Sequence, residues 1–239
     1  MATIISIETS TEVCSVALSQ NGKNVWEKKN MEGQNHSTLL APFLQEMQSY
    51  IKENNLKVDA VAVSSGPGSY TGLRIGVSTA KGLCYGMDIP LLSIDTLKVI
   101  TMSALHTLNN ANINDETYFC PMIDARRMEV YTAFYDKNLN QIRDTSADII
   151  EENSYKEILD KHIVYFFGNG ANKCKKTITH PNARFLDDIT PLASEMCQLA
   201  EKAYNDKDFK DVAYFEPAYL KEFVAIVGKN KVLELENQK

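Results

Sequence analysis

The chain has 239 residues, a net charge of −6, 44% apolar residues and 23% charged residues, and a pI near 5.3. This length suits one large domain or two small ones, and the composition is that of a globular protein rather than a disordered or fibrous one. The acidic balance argues against a protein that holds nucleic acid by itself, because phosphate contacts on a basic face supply most of that affinity.

The five cysteines at positions 14, 84, 120, 174 and 197 form no CxxC pair and sit mostly in apolar stretches, as expected of reduced thiols rather than disulfides or a zinc site. The opening "ATIISIE" reads as a strand rather than a targeting segment, and no later apolar run reaches transmembrane length. The expectation is a cytoplasmic protein without membrane contact.

In chain order, "TIISIETS" is a β-branched strand ending in an acid, Glu8. "VCSVALSQ" follows, then Asn21-Gly22, a pair suited to a type I′ hairpin turn, and the return strand "KNVWEKKN". "HSTLLAPFLQEMQSYIKENN" places Leu39, Leu40, Phe43, Leu44, Met47 and Ile51 at helical spacing, and Pro42 near its start puts the first turn close to Ser37. "DAVAVSSG" is a strand running into the glycine-rich "GPGSYTGLRIGVSTAKGLCYG" (Gly66 to Gly86). "IPLLSI" is the next strand, and Asp95 caps the helix "TLKVITMSAL".

Polar "NNANINDET" (Asn109 to Thr117) marks a boundary, after which the opening pattern repeats. "TYFCPMID" is an apolar strand ending in Asp124, and an alternating strand and further turn follow. The helix "SYKEILDK", the strand "HIVYFFG", "GNGANKC" and a long helix "LASEMCQLAEKAYN" complete the unit. The basic "NKCKKT" reads as a solvated helix end. Two tandem βββαβα units imply an α/β fold of two similar subdomains, 1–110 and 111–225, with a charged tail at 226–239. Their facing strand ends form a cleft able to accept a nucleotide, with Glu8, Thr9, Ser10 and Asp124 as candidate contacts.

This order, with "SIETSTEVCSVAL", "NHSTLLAP" (Asn35 to Pro42) and "SSGPGSYTGLRIGVSTAKGL", resembles the actin–Hsp70–sugar kinase (ASKHA) superfamily, and within it the TsaB family. The likeness weakens over the second unit, where "GNG" (Gly168 to Gly170) and "EPAYLK" (Glu216 to Lys221) remain. At the end of the latter motif the family usually has arginine, and Lys221 departs from it.

The resemblance implies a catalytically degenerate relative of TsaD, the transferase that makes N6-threonylcarbamoyladenosine (t6A) beside the anticodon of tRNA. The implied partners are a TsaD-type transferase and a TsaE-type ATPase, with tRNA bound only through the complex and a homodimer when the chain is alone. An ASKHA-fold ATPase or kinase using Glu8 and Asp124, and a glycoprotease-like metallopeptidase, are the alternatives.

A TsaD-type metal site needs H-x-x-x-H on a helix face, where positions i and i+4 converge on one ion. Histidines 36, 106, 162 and 180 include no such pair, and the corresponding region reads "SIDTLKVIT". No metal is therefore expected. Beyond "ETS" the first phosphate loop continues Thr11, Glu12, Val13 where the catalytic relatives carry acids. Glu8 and Glu12 remain candidates for weak cation binding, against the simpler reading that Glu8 bonds only neighbouring amides. No nucleotide is expected on the chain alone except at low affinity; one in the complex stays open. His36, beside Ser37, is read as a helix-start cap or a partner contact, and Asp124-Ala125-Arg126-Arg127 as an ion-paired turn.

The glycine segment lacks the Gly-Lys-Ser/Thr of a Walker loop. It reads instead as a turn followed by a helix from near Ser69, carrying two small-residue rows, Gly72-Gly76-Ala80 and Ser78-Gly82-Gly86. Each interior glycine costs about 0.8–1 kcal/mol against alanine, which close backbone approach must offset. That approach is either to the protein's own sheet or to a partner. The resemblance puts this helix at the contact with the TsaD-type protein, and so implies a partner interface made by His36, Leu40, Gly72, Arg74, Gly76 and Ala80, against packing inside the monomer.

Overall fold

The computed structural model describes residues 2–33, 35–109 and 113–220. Strands β1 (Thr3–Glu8), β2 (Cys14–Gln20) and β3 (Lys23–Asn30) form an antiparallel meander, with Asn21 and Gly22 at φ +53° and +72° as a type I′ turn demands. Helix α1 (His36–Glu53), β4 (Ala60–Ser64), α2 (Tyr70–Met87), β5 (Leu91–Ile94) and α3 (Thr96–Thr107) complete the first unit. The second runs β6 (Thr117–Asp124), β7 (Glu129–Tyr135), β8 (Gln141–Ile149), α4 (Lys156–Leu159), β9 (Ile163–Phe167), α5 (Ala171–Cys174) and β10 (Ala183–Phe185). A 3-10 turn (Ala193–Met196), α6 (Cys197–Asn205) and β11 (Phe209–Lys210) follow.

The six-stranded sheet has the order β11-β5-β4-β1-β2-β3 and the five-stranded sheet β10-β9-β6-β7-β8. In each, a parallel pair (β1 with β4, β6 with β9) adjoins the antiparallel meander. The expected duplication and the ASKHA-type α/β architecture are thus what the chain adopts.

Strand alternation distributes the core. Ile5, Ile7, Val61 and Val63 face α1 and α2, joining Leu40, Phe43, Met47, Val77 and Ala80. Their neighbours Ile4, Ala60, Ala62 and Leu92 point the opposite way, against Val99, Met196 and Ala200. Helix α3 is buried from Thr96 to Leu105, apart from half-buried Lys98, because it lies between the sheets, with Leu97, Ile100 and Ala104 on Phe119, Ile123 and Phe167. Asp95 caps it as expected, accepting from Lys98 N–H at 3.0 Å and, across the two units, from the Tyr135 hydroxyl at 3.4 Å.

Two expectations need correction. The long last helix is a 3-10 turn plus a nine-residue α-helix. More importantly, a division at residue 110 does not describe the units, because Ala193–Lys210 returns to the first sheet. There β11 pairs antiparallel with β5, and Met196 and Ala200 close its second face. The apolar stripe of α6 has a sheet to cover, and the face of the first sheet turned away from α1 and α2 is where that cover is needed. The expected tail, 226–239, and Lys221 lie outside the described residues.

Candidate functional site: the cleft and the glycine helix

The loop after β1 is closed upon itself. Glu8 is fully buried, and its Oε1 accepts from the Ser10 amide at 2.6 Å. Ser69 N–H donates to the Ser10 carbonyl at 2.6 Å, and Thr9 Oγ1 donates to the Gly72 carbonyl at 2.8 Å. These bonds stitch the loop to the start of α2, where Ser69 Oγ caps the Gly72 amide at 3.2 Å. Burial pushes the Glu8 carboxyl above the usual carboxylate range, while the bond from the Ser10 amide acts in the opposite direction. Glu8 thus holds one neighbouring amide, that of Ser10, through Oε1, while its buried Oε2 has no partner among the described residues. The Ser10 amide is occupied by the protein's own carboxylate.

Above this loop lies a cleft of about 980 Å³ between the two units. Ser10, Thr11, Glu12 and His36 line one side, and Asp124, Arg126, Arg127 and Asn169 the other. Two buried polar atoms on the first wall, Ser10 Oγ and His36 Nε2, have no partner among the described residues.

Asn169 joins the walls. Its Nδ2 donates to Glu12 Oε2 at 2.9 Å, and its Oδ1 accepts from the Asp124 amide at 2.9 Å. Glu12, rather than Glu8, is therefore the acid linked to Asp124. Asp124 itself pairs with Lys173 and accepts from the Arg126 amide at 2.8 Å. The expected arginine ion pair is thus a lysine pair. Sequence reasoning named the "GNG" motif but missed Asn169; its position between two glycines was the available signal. The flanking Gly168 (φ +97°) and Gly170 lie so close to Met122 and Ile123 that a Cβ at either would strike their backbone.

The expected partner interface is reassigned by which way α2 faces. A Cβ on Gly72 would overlap the Thr9 carbonyl, and one on Gly76 would overlap Thr9 Oγ1. Ala80 is fully buried in the same core as Leu40. Gly72, Gly76, Ala80 and Leu40 therefore serve the protein's own interior, where the bare row lets α2 settle on the loop after β1. His36, 7% exposed, is part of the cleft wall, and the cap position belongs to Asn35. Arg74 is exposed as expected, but its Nε donates to the Tyr219 hydroxyl at 3.3 Å. The other row, Ser78-Gly82-Gly86, faces outward, and none of the described residues lies within 4 Å of a Cβ placed on Gly82 or Gly86.

Residues 211–220 lie along α2. Lys81 Nζ donates to the Ala213 and Phe215 carbonyls at 3.0 and 3.1 Å. Ala218 N–H donates to the Ser65 carbonyl at 2.8 Å. The Tyr219 ring sits 4.9 Å from Tyr70, and the Arg74 guanidinium lies 4.4 Å over Tyr70. Val212 and Phe215 pack on the core beneath.

No three histidine, cysteine, aspartate or glutamate side chains among the described residues are grouped to hold a metal ion. In the first turns of α3, the i, i+4 pairs Thr96/Ile100 and Leu97/Thr101 carry no imidazole, and Thr96 Oγ1 is engaged by the Gly66 amide at 3.2 Å. These residues do not fit a histidine-held metal. No helix among the described residues is long and apolar enough to cross a membrane.

Residues 30–237 match the family model described as "TsaD: tRNA N6-adenosine threonylcarbamoyltransferase". The chain is 28% identical over 233 residues to the tRNA threonylcarbamoyladenosine biosynthesis protein TsaB of Haemophilus influenzae, covering 92% of this chain and 93% of that protein. Against the TsaB of Escherichia coli the identity is 28% over 228 residues, 93% of this chain and 96% of that protein. A solved structure from Pseudomonas aeruginosa, described as an uncharacterized protein with similarity to peptidase YEAZ, shares the fold. Its TM-score is 0.78 at 24% identity, over 92% of this chain and 100% of that one.

Proposed function

We propose that this chain, which belongs to the TsaD (tRNA N6-adenosine threonylcarbamoyltransferase) family, acts in t6A biosynthesis as a non-catalytic subunit required by a TsaD-type transferase. The observation that carries this reading is the likeness, over more than nine-tenths of both chains, to relatives named tRNA threonylcarbamoyladenosine biosynthesis protein. The non-catalytic part is supported by the self-bonded loop at Glu8–Ser10 and by α3, whose first turns offer no paired imidazoles. Tight nucleotide binding to the chain alone is not expected, since Glu8 holds the Ser10 amide. A nucleotide in the assembled complex remains compatible with the cleft volume.

Pairing uses the outward row of α2. Ser78, Gly82 and Gly86 let a partner's backbone approach closely, and Arg74 borders them. The same face makes a homodimer when the transferase is absent. A TsaE-type ATPase joins the assembly, tRNA is held through the complex rather than by this acidic chain, and the work is done in the cytoplasm.

Reconstitution tests the proposal. Purified TsaD-type and TsaE-type proteins, substrates and tRNA should modify tRNA only when this chain is added. Equal modification without it would overturn the proposal. So would ATP turnover by the isolated chain above about 1 s⁻¹, inside the ordinary enzyme range, that disappears in Glu8→Ala.

A further inference from the structure

We infer that residues 211–220 form a detachable strap that masks one flank of α2, and that a protein seated on the outward row of α2 must release it. The inference rests on the proposed pairing for the identity of that protein, and on the structure alone for the strap.

Tyr70, Arg74 and Lys81 fall on one flank of α2 at helical spacing, beside the open row of Ser78 and Gly82. All three are engaged by the strap, through the Tyr219 ring, the Tyr219 hydroxyl and the Ala213 and Phe215 carbonyls. Packed helices approach to about 8–10 Å, and a helix is about 10–12 Å across with its side chains. A helix lying on the open row therefore reaches the flank that the strap covers.

The strap is built to come away. It has no regular secondary structure, and only Val212, Phe215 and Pro217 are half-buried, while the remaining residues are exposed. Its contacts to α2 and the end of β4 among the described residues include the two Lys81 bonds, the Arg74 bond, the Tyr70–Tyr219 ring contact and a backbone bond to Ser65. Segments with few buried contacts open at far lower free energy than the core. Its far end, Ala218 to Leu220, also lines the mouth of the cleft beside Ser10 and His36. Release would widen the cleft on the side facing α2.

Hydrogen exchange on the full chain, with and without a TsaD-type transferase, tests this, together with Lys81→Met and Tyr219→Ala. In the free protein, amides of residues 212–216, 218 and 219 should exchange roughly 100-fold or more faster than those of β4. Lys81→Met, which keeps the aliphatic stem, should speed them about tenfold further. Transferase binding should raise their exchange in the wild type, and both variants should pair more tightly than wild type.

Protection equal to that of β4 in the free protein overturns the strap. Increased protection on transferase binding overturns the masking, because the strap would then be part of the interface. Pairing of the two variants no tighter than wild type overturns it as well. Absence of pairing in every form would sink the proposed function, while the free-protein exchange still decides whether the strap detaches.

Discussion

Asn169 donates to Glu12 across the cleft while accepting from the Asp124 amide, so one side chain ties the loop after β1 to the end of β6. Both bonds are solvent-exposed, and each contributes the modest net amount of a typical hydrogen bond. Asn169→Ala is expected to lower unfolding stability by about 1 kcal/mol and to speed exchange of the Asp124 amide. Glu12→Gln, which keeps an acceptor, should do much less. Urea titration with exchange at that amide checks both, and equal effects of the two substitutions would show that Asn169 is not the link.

The two glycine rows give opposite expectations. Gly76→Ala puts a methyl against Thr9 Oγ1, and overpacking of this kind costs about 1–3 kcal/mol, so its melting temperature should fall. Gly82→Leu meets open space and gains roughly 0.6–0.8 kcal/mol of helix propensity, so it should melt no lower than wild type while failing to pair with the transferase. Thermal melts and sedimentation of these two variants suffice. A stable Gly76→Ala would mean that the inward assignment is wrong.

Glu8 gives a pH signature. Its folded-state value lies above the ordinary 4.5 because burial disfavours the charge, so between those two values the native state binds more protons than the unfolded one. Its contribution is therefore full below pH 4.5 and declines as pH rises through the folded value. Glu8→Gln keeps the acceptor for the Ser10 amide and presents an NH₂ group on the Ser64 side, where the hydroxyl lacks a partner. The variant should be at least as stable as wild type at neutral pH, with the advantage disappearing in acid. Denaturant titrations at pH 7.5 and pH 4 measure it. A variant that is less stable at pH 7.5 would show that the charge is favourable there.

All five cysteines are buried as free thiols. Burial raises Cys14 and Cys84 to about 11 and Cys197 to about 12, and raises Cys120 and Cys174 as well. Because the thiolate is the reactive form, a disulfide reagent at pH 8 should leave the native protein unmodified and titrate all five groups after denaturation. Rapid modification of even one thiol in the native state would contradict this burial.

Local chemistry was legible in the sequence wherever a side chain acts on its own backbone. Asn21-Gly22 demanded the left-handed turn, and Asp95 announced the start of α3. The duplicated units were legible because strand alternation and acid-ended strands recur in the same order. The direction of α2 was not, since its rows Gly72-Gly76-Ala80 and Ser78-Gly82-Gly86 share one spacing and differ only by rotation about the axis. Which row turns inward depends on Thr9, more than sixty residues earlier in the chain. The stripe on α6 likewise says that an apolar surface awaits, without saying which sheet supplies it. The partner of Glu12 was hidden for the same reason, because Asn169 meets it only once both units are assembled.

The return of Ala193–Lys210 to the first sheet bears on how the protein is made. Until Phe209 leaves the ribosome, β5 presents an unpaired edge, and until Met196 and Ala200 arrive one face of that sheet, including Ile4 and Leu92, is covered only in part, by Val99. The amino-terminal unit, although translated first, cannot reach its final form ahead of the carboxyl-terminal one. The nascent chain must carry an adhesive, half-finished layer for most of its synthesis, so holding chaperones and translation rate should govern its yield more than the stability of the finished fold.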